Sequence, residues 1–202
     1  EAQASRRDDA PVLPAGAGLV LVANQRSGDP DYDPVAEITE ALPAATVVPA
    51  AEGLDLHDQL EAAVAAERSQ RSGMVRALGV SGGDGTVAAA AAVAGRRGLP
   101  LVVVPTGTLN HFARDVGVYD LQEAVDATQA GEAVAVDLGV VEIHGAGRPP
   151  HTRYFLNTAS LGGYSDLVRL REKWEPKWGK WPAFAAALVT SLRNAMPMRV
   201  KL

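Results

Sequence analysis

Val75-Arg76-Ala77-Leu78-Gly79-Val80, then Ser81-Gly82-Gly83-Asp84-Gly85-Thr86, then the alanine-rich run to Gly95: this stretch decides how the chain folds. Residues 75–80 form a short apolar segment bounded by turn residues, which predicts a buried strand. Thr86–Gly95 lacks the β-branched density of a strand and is rich in alanine, the best helix former, so it predicts a helix. Strand, glycine loop and helix in direct succession form the repeating unit of an α/β sheet.

The same alternation continues on both sides. Strands are predicted at 18–23, 46–49 and 101–104, and helices at 34–42, 55–69 and 109–116. In the second of these helices Leu56, Leu60, Ala63 and Val64 share a face. Short apolar strands alternating with helices predict a parallel sheet covered on both faces, an α/β domain over residues 17–131. Residues 1–16 are polar and contain proline, and are expected to be a linker or disordered arm. After residue 131 the texture changes. Val134–Ile143 and 153–159 read as longer β segments joined by a turn over 145–150, typical of antiparallel pairing. Residues 132–202 are therefore expected to be the start of a truncated, β-rich second domain.

The chain has 202 residues, 47% hydrophobic and 21% charged, the composition of a globular protein. A net charge of −5 argues against a general nucleic-acid binder. The absence of cysteine excludes disulfides, zinc–thiolate sites and a thiol nucleophile. No apolar run reaches the roughly 18 residues of a membrane span; a cytoplasmic location is expected. The chain begins at Glu1 without an initiator Met, so it is expected to be part of a longer protein.

In an open parallel sheet, ligands bind beyond the carboxyl ends of the strands. Three loops leave those ends. In Gly82-Gly83-Asp84-Gly85-Thr86 the glycines admit backbone angles closed to other residues and let an anion approach main-chain N–H groups. The helix that follows adds free donors and partial positive charge. Asp84 would repel bare phosphate but suits a bridging Mg²⁺; the plainer reading is that Asp84 or Thr86 caps the helix. In Pro105-Thr106-Gly107-Thr108-Leu109-Asn110-His111-Phe112-Ala113-Arg114, Thr108 is expected to cap the next helix. Its hydroxyl and the Gly107 amide are candidates for phosphate. Asn110 and Arg114 stay near the mouth, Phe112 packs inward, and His111 is a surface residue. Asn24-Gln25-Arg26-Ser27-Gly28 alone is ordinary turn material.

GGDGT, a strand, then PTGTLNHFAR resembles the diacylglycerol kinase catalytic domain, shared by bacterial lipid kinases, sphingosine kinases and ceramide kinases. Residues 24–28 are similar to that family's first nucleotide loop, usually Asn-Pro-x-Ser-Gly. The resemblance covers residues 18–131 well and 132–202 more loosely, through 155–162. GGDGT alone would also admit NAD kinases and phosphofructokinases, but the second loop resembles neither. The resemblance implies ATP bound beside the α/β domain, Mg²⁺, and phosphoryl transfer to a lipid alcohol. It implies that Gly82, Gly83, Gly85, Thr86, Thr108, Asn110, Asn24, Ser27 and Gly28 hold the nucleotide, and that Asp84 is the catalytic, metal-organising acid. Departures are Gln25 for proline, His111 where many relatives carry Asp, and no hydroxyl in Val48-Pro49-Ala50-Ala51-Glu52, where the family often has a nucleotide-contacting Thr. The family's general base, a Glu, and its structural Mg²⁺ site lie near the end of the second domain. The chain stops before both, so this piece alone is expected to be inactive. A kinase of the same fold acting on a sphingoid base or another lipid, and a non-catalytic nucleotide- or lipid-binding module, are the rival readings.

Charge is divided unevenly. Residues 1–166 hold 11 Arg, no Lys and 22 acids, a net −11; residues 167–202 hold 8 Lys and Arg against Glu172 and Glu175, a net +6. Trp174, Trp178 and Trp181 all lie in that basic segment, spaced for one helical face, with Pro176 interrupting it. The plainer reading packs them inside the second domain. The alternative is an interfacial surface in peripheral contact with anionic lipid.

Overall fold

The computed structural model describes residues 6–24, 33–70, 74–145 and 148–156. The chain divides into two compact units, residues 1–156 and 157–202. Ser27, Gly28 and the three tryptophans lie outside the described residues.

A four-stranded parallel sheet forms the centre. Its strands are β2 (Leu19–Ala23), β3 (Thr46–Pro49), β4 (Ala77–Gly82) and β5 (Leu101–Pro105), in the order β3-β2-β4-β5. Every residue of β2 and β4 is buried, as expected for strands covered on both faces. Side chains alternate between the faces with the period of two that a pleated strand imposes. Val20, Val22, Leu78, Val80 and Val103 join one apolar cluster with α2 (Leu56–Gln70), α3 (Asp84–Arg97) and α4 (His111–Asp115). Leu19, Leu21, Ala23, Ala77 and Val104 join a second with α1 (Pro34–Ala41) and α5 (Leu121–Ala130). Each fully buried Leu or Val contributes about 1.5–3 kcal/mol relative to exposure, so the two clusters dominate the stability of this unit.

The helix ends follow local chemistry. Asp33 accepts from the amides of Val35 and Ala36, with Pro34 in the first turn, and so starts α1. Asp84 in the first turn of α3 and Arg96 and Arg97 in its last complement the helix dipole. Over residues 17–116 the four predicted strands and four predicted helices all fall within two residues of their observed bounds.

Three expectations are corrected. Residues 6–16 are not an arm: β1 (Arg6–Asp9) pairs antiparallel with β6 (Glu132–Ala135), and Leu13 is buried in the second cluster. The Leu13 amide donates to the Thr128 carbonyl, which anchors the segment on α5. Helix α5 was not foreseen between 117 and 131. Nor do the later β segments run 134–143 and 153–159 with a turn over 145–150: residues 134–143 are divided between β6 and a further strand, and the last described strand starts at Arg148. β7 (Gly139–Gly145) pairs directly with β8 (Arg148–Phe155), and Pro149 and Pro150 sit at a register shift between Ile143 and Gly145. A bulge in a two-stranded ladder is where missing amides cost least.

Candidate nucleotide site

Parallel pairing brings the carboxyl ends of β2, β3, β4 and β5 to one edge. The strand order reverses between β2 and β4, the usual place for a ligand in an open sheet. A cleft of about 390 Å³ opens there. Its walls come from Asn24 after β2, Ala50–Leu54 after β3, Leu56 and Gln59 on α2, and Gly85, Thr86 and Ala89 on α3. Apolar groups (Ala50, Leu54, Leu56, Ala89) line one part. Asn24, Glu52, Gln59, Thr86 and the first turn of α3 supply the polar part.

Gln59 fixes one wall. Its Oε1 accepts the Ala51 amide at 2.6 Å, and its Nε2 donates to the carbonyls of Ala51 and Leu54, both at 3.1 Å. These bonds tie the 51–54 turn to α2. Gln59 and Leu54 were not singled out from sequence. The signals for this loop were its position after the second strand and the resemblance, which places a nucleotide-contacting Thr there in many relatives.

The glycine loop works differently from expectation. None of Gly82, Gly83 and Gly85 has positive φ. What excludes side chains is close approach. A Cβ on Gly82 would lie 2.6–2.7 Å from the Thr86 side chain, and one on Gly107 would lie 2.5 Å from Gly83 Cα. The loops after β4 and β5 are therefore packed glycine on glycine. A Cβ on Gly85 would meet nothing within 4 Å; this exposed position opens onto the cleft.

Capping is also redistributed. Gly83 is the N-cap of α3 and no side chain caps that helix, so neither Asp84 nor Thr86 does so. The first amides of α3 thus lack a partner within the helix and point toward the sheet edge. Thr108 does not cap α4; it is exposed, and Asn110 holds the N-cap position in a left-handed conformation with no cap bond of its own. Asn110 Nδ2 donates to the Gly107 carbonyl at 2.7 Å, while its Oδ1 is buried without a partner. The α4 amides are met instead by Asp84: Oδ1 accepts Phe112 N–H at 2.9 Å and Oδ2 accepts His111 N–H at 3.2 Å. Beneath the loops, Ser81 Oγ and Thr106 Oγ1 form a buried bond of 3.0 Å between β4 and β5. Phe112 packs into the core and the His111 residue is exposed, as expected.

Of the predicted residues, Asn24, Gly85 and Thr86 line the cleft, whereas Gly82, Gly83, Asp84, Thr108 and Asn110 form the adjoining β4–β5 edge. A model of the diacylglycerol kinase catalytic domain matches residues 18–141, more than half the chain and all of this edge. The chain belongs to the diacylglycerol kinase catalytic domain family. Family membership implies a nucleotide and a metal ion. The chain is also similar to solved diacylglycerol kinase structures from Bacillus anthracis strain Sterne. One is 24% identical, with a TM-score of 0.37, covering 55% of this chain and 40% of that one. Another is 24% identical, with a TM-score of 0.40, covering 55% of this chain and 39% of that one. The chain thus spans about two fifths of the length of these kinases.

Among the described residues no cluster of three ligand groups includes Asp84, whose two oxygens each accept a backbone N–H. Among the described residues, Asp55, His57 and Asp58 bring three ligand atoms within 4.8 Å of one another. Two of the three are exposed, and His57 Nε2 lies against the Arg96 guanidinium, which opposes a cation there.

Proposed function

We propose that this chain is the nucleotide-binding part of an ATP-dependent lipid kinase, which passes the γ-phosphoryl group of ATP to the hydroxyl of a lipid alcohol. The observation that carries the reading is the cleft at the strand-order reversal, bordered by Gly85 and Thr86 of the family's glycine loop. The base and sugar would lie against Ala50, Leu54, Leu56 and Ala89. The phosphates would then reach the amides of Gly85 and Thr86 and the polar groups of Asn24, with Thr108 and Asn110 on the neighbouring loop. Ser27 and Gly28 belong to the first loop of the same site.

Phosphoryl transfer needs positioning and charge neutralisation more than covalent chemistry. Mg²⁺ would supply part of that neutralisation when bound with the nucleotide. In this reading the Asp84 carboxylate, bound to the His111 and Phe112 amides, positions the neighbouring loop. The chain's own residues bind and orient the nucleotide. Residues 17–131 form the nucleotide domain in this reading, and 132–202 begin the part that meets the lipid. Use of ATP on a lipid substrate fits a cytoplasmic location with peripheral membrane contact.

Gly85→Ala tests the reading. The added methyl enters open space, so folding is expected to be unharmed, and a helical Gly→Ala exchange commonly stabilises by about 0.4–1 kcal/mol. If phosphate approaches the Gly85 backbone, the same methyl should weaken ATP binding at least about tenfold, or about 1.4 kcal/mol. Calorimetric titration of ATP, with thermal melts of both proteins, separates the effects. A variant that binds ATP as well as the parent would remove phosphate from this loop.

A further inference from the structure

Asp84 is the first residue of α3, yet its carboxylate serves another helix. The amides of His111 and Phe112 open α4 and have no acceptor within it. Each is taken by one oxygen of Asp84, at 3.2 and 2.9 Å. Two further features join the same two loops, and a third stiffens one of them. Gly83 and Gly107 pack so closely that a Cβ on the latter would clash with the backbone of the former. Asn110, at φ 50°, closes its loop onto the Gly107 carbonyl. Ser81 and Thr106 tie the strand ends below. Of these, only Asp84 carries charge, and a carboxylate accepting backbone N–H groups makes stronger bonds than a neutral acceptor.

We propose that Asp84 is a positioning residue: a clamp that fixes the 106–110 loop against the amino end of α3, rather than an acid that holds the metal ion. The clamp has two consequences for the site. It sets where Thr108 and the loop amides stand relative to Gly85 and Thr86. It also commits the negative charge of Asp84 to the donors of α4, so that this carboxylate does not cap the amides that open α3. The proposal rests on the nucleotide site argued above, but one arm of its test does not need nucleotide.

In that arm, amide signals of the free 202-residue protein are compared with those of Asp84→Asn and Asp84→Ala. The clamp predicts that the His111 and Phe112 amide protons move upfield and exchange at least about tenfold faster, while core amides of β2 and β4 stay protected. Unchanged shifts and exchange at 111 and 112 would overturn it. In the second arm, ATP is titrated with excess Mg²⁺ and again with EDTA. A positioning residue weakens both titrations by the same factor, because the loop is misplaced with or without the ion. A metal ligand loses affinity only where Mg²⁺ is present, and that pattern would also overturn the clamp. If the parent protein binds no ATP at all, the nucleotide reading fails, and the amide arm still decides the role of Asp84.

Discussion

Gly83 and Gly107 face each other across the two loops, but they are not equivalent. A Cβ on Gly107 would sit 2.5 Å from Gly83 Cα, 2.7 Å from Asn110 Oδ1 and 3.0 Å from Gly83 N, and backbone cannot swing aside as a side-chain tip can. A Cβ on Gly83 would meet only Gly107 Cα at 3.6 Å, an ordinary contact. Gly107→Ala should therefore cost about 1–3 kcal/mol through overpacking, and Gly83→Ala less than about 1 kcal/mol. Urea denaturation of the two variants checks this; equal costs would mean that the loops are not in contact. The importance of these glycines was legible in the sequence, but the reason was not. Their clustering suggested unusual backbone angles, whereas Gly107 is constrained by Gly83, more than twenty residues away, which no local pattern reports. Asp84 shows the same limit. Its position before a helix suggested a cap or a metal ligand, and it is a cap, but for a helix that begins at residue 111.

Between elements, the packing of α2 on α3 is reinforced by charge. Arg97 Nε donates to Glu61 Oε2 at 2.8 Å, a second guanidinium nitrogen binds the same oxygen, and Arg96 lies 3.7 Å from Oε1. The Arg97 hydrogen bond holds the Glu61 carboxyl below its ordinary value of 4.5, against the opposing effect of burial. A carboxylate whose folded value is depressed gives stability above its unfolded value and loses it as pH falls through the lowered folded one. Glu61→Gln should then lower stability by about 0.5–1 kcal/mol near neutrality, and the gap to the parent should close below pH 4.5. Urea midpoints between pH 7 and 3 measure it; a constant gap would assign the cost to packing instead. Elements with strong apolar periodicity, α2 and the buried strands, were readable at this scale. Helix α5 was overlooked although its ends carry signals. Asp120 accepts the Glu123 amide and Glu123 accepts the Tyr119 amide, a reciprocal cap, and Gly131 closes the other end. Its weakly apolar interior hid it. Strand β1 was hidden by the opposite fault. Arg6–Asp9 has no apolar residue, and its pairing depends on β6, far along the chain.

Across the whole molecule, the parallel sheet gathers the polar loops at one edge, and the charge is gathered elsewhere. Among the described residues no helix is long and apolar enough to cross a membrane. The proposed function requires contact with a substrate embedded in a bilayer, and the segment 167–202, at net +6 with Trp174, Trp178 and Trp181, is the part whose composition suits that surface. Each basic residue near an anionic surface contributes about 1 kcal/mol. Arg169, Arg171, Lys173, Lys177 and Lys180, which flank the tryptophans, can then outweigh locally the −11 of residues 1–166. The 202-residue protein should sediment with phosphatidylserine-containing vesicles and less with neutral phosphatidylcholine ones. This attraction decays over a Debye length of about 8 Å at physiological salt, so added salt should release the protein. Tryptophan emission should shift to the blue on binding, as the indoles leave water. All three tryptophans lie in this one segment, so the signal reports on it alone. Emission already blue without lipid, and unchanged by either vesicle, would place the indoles in a protein core and end the case for this segment as the membrane contact.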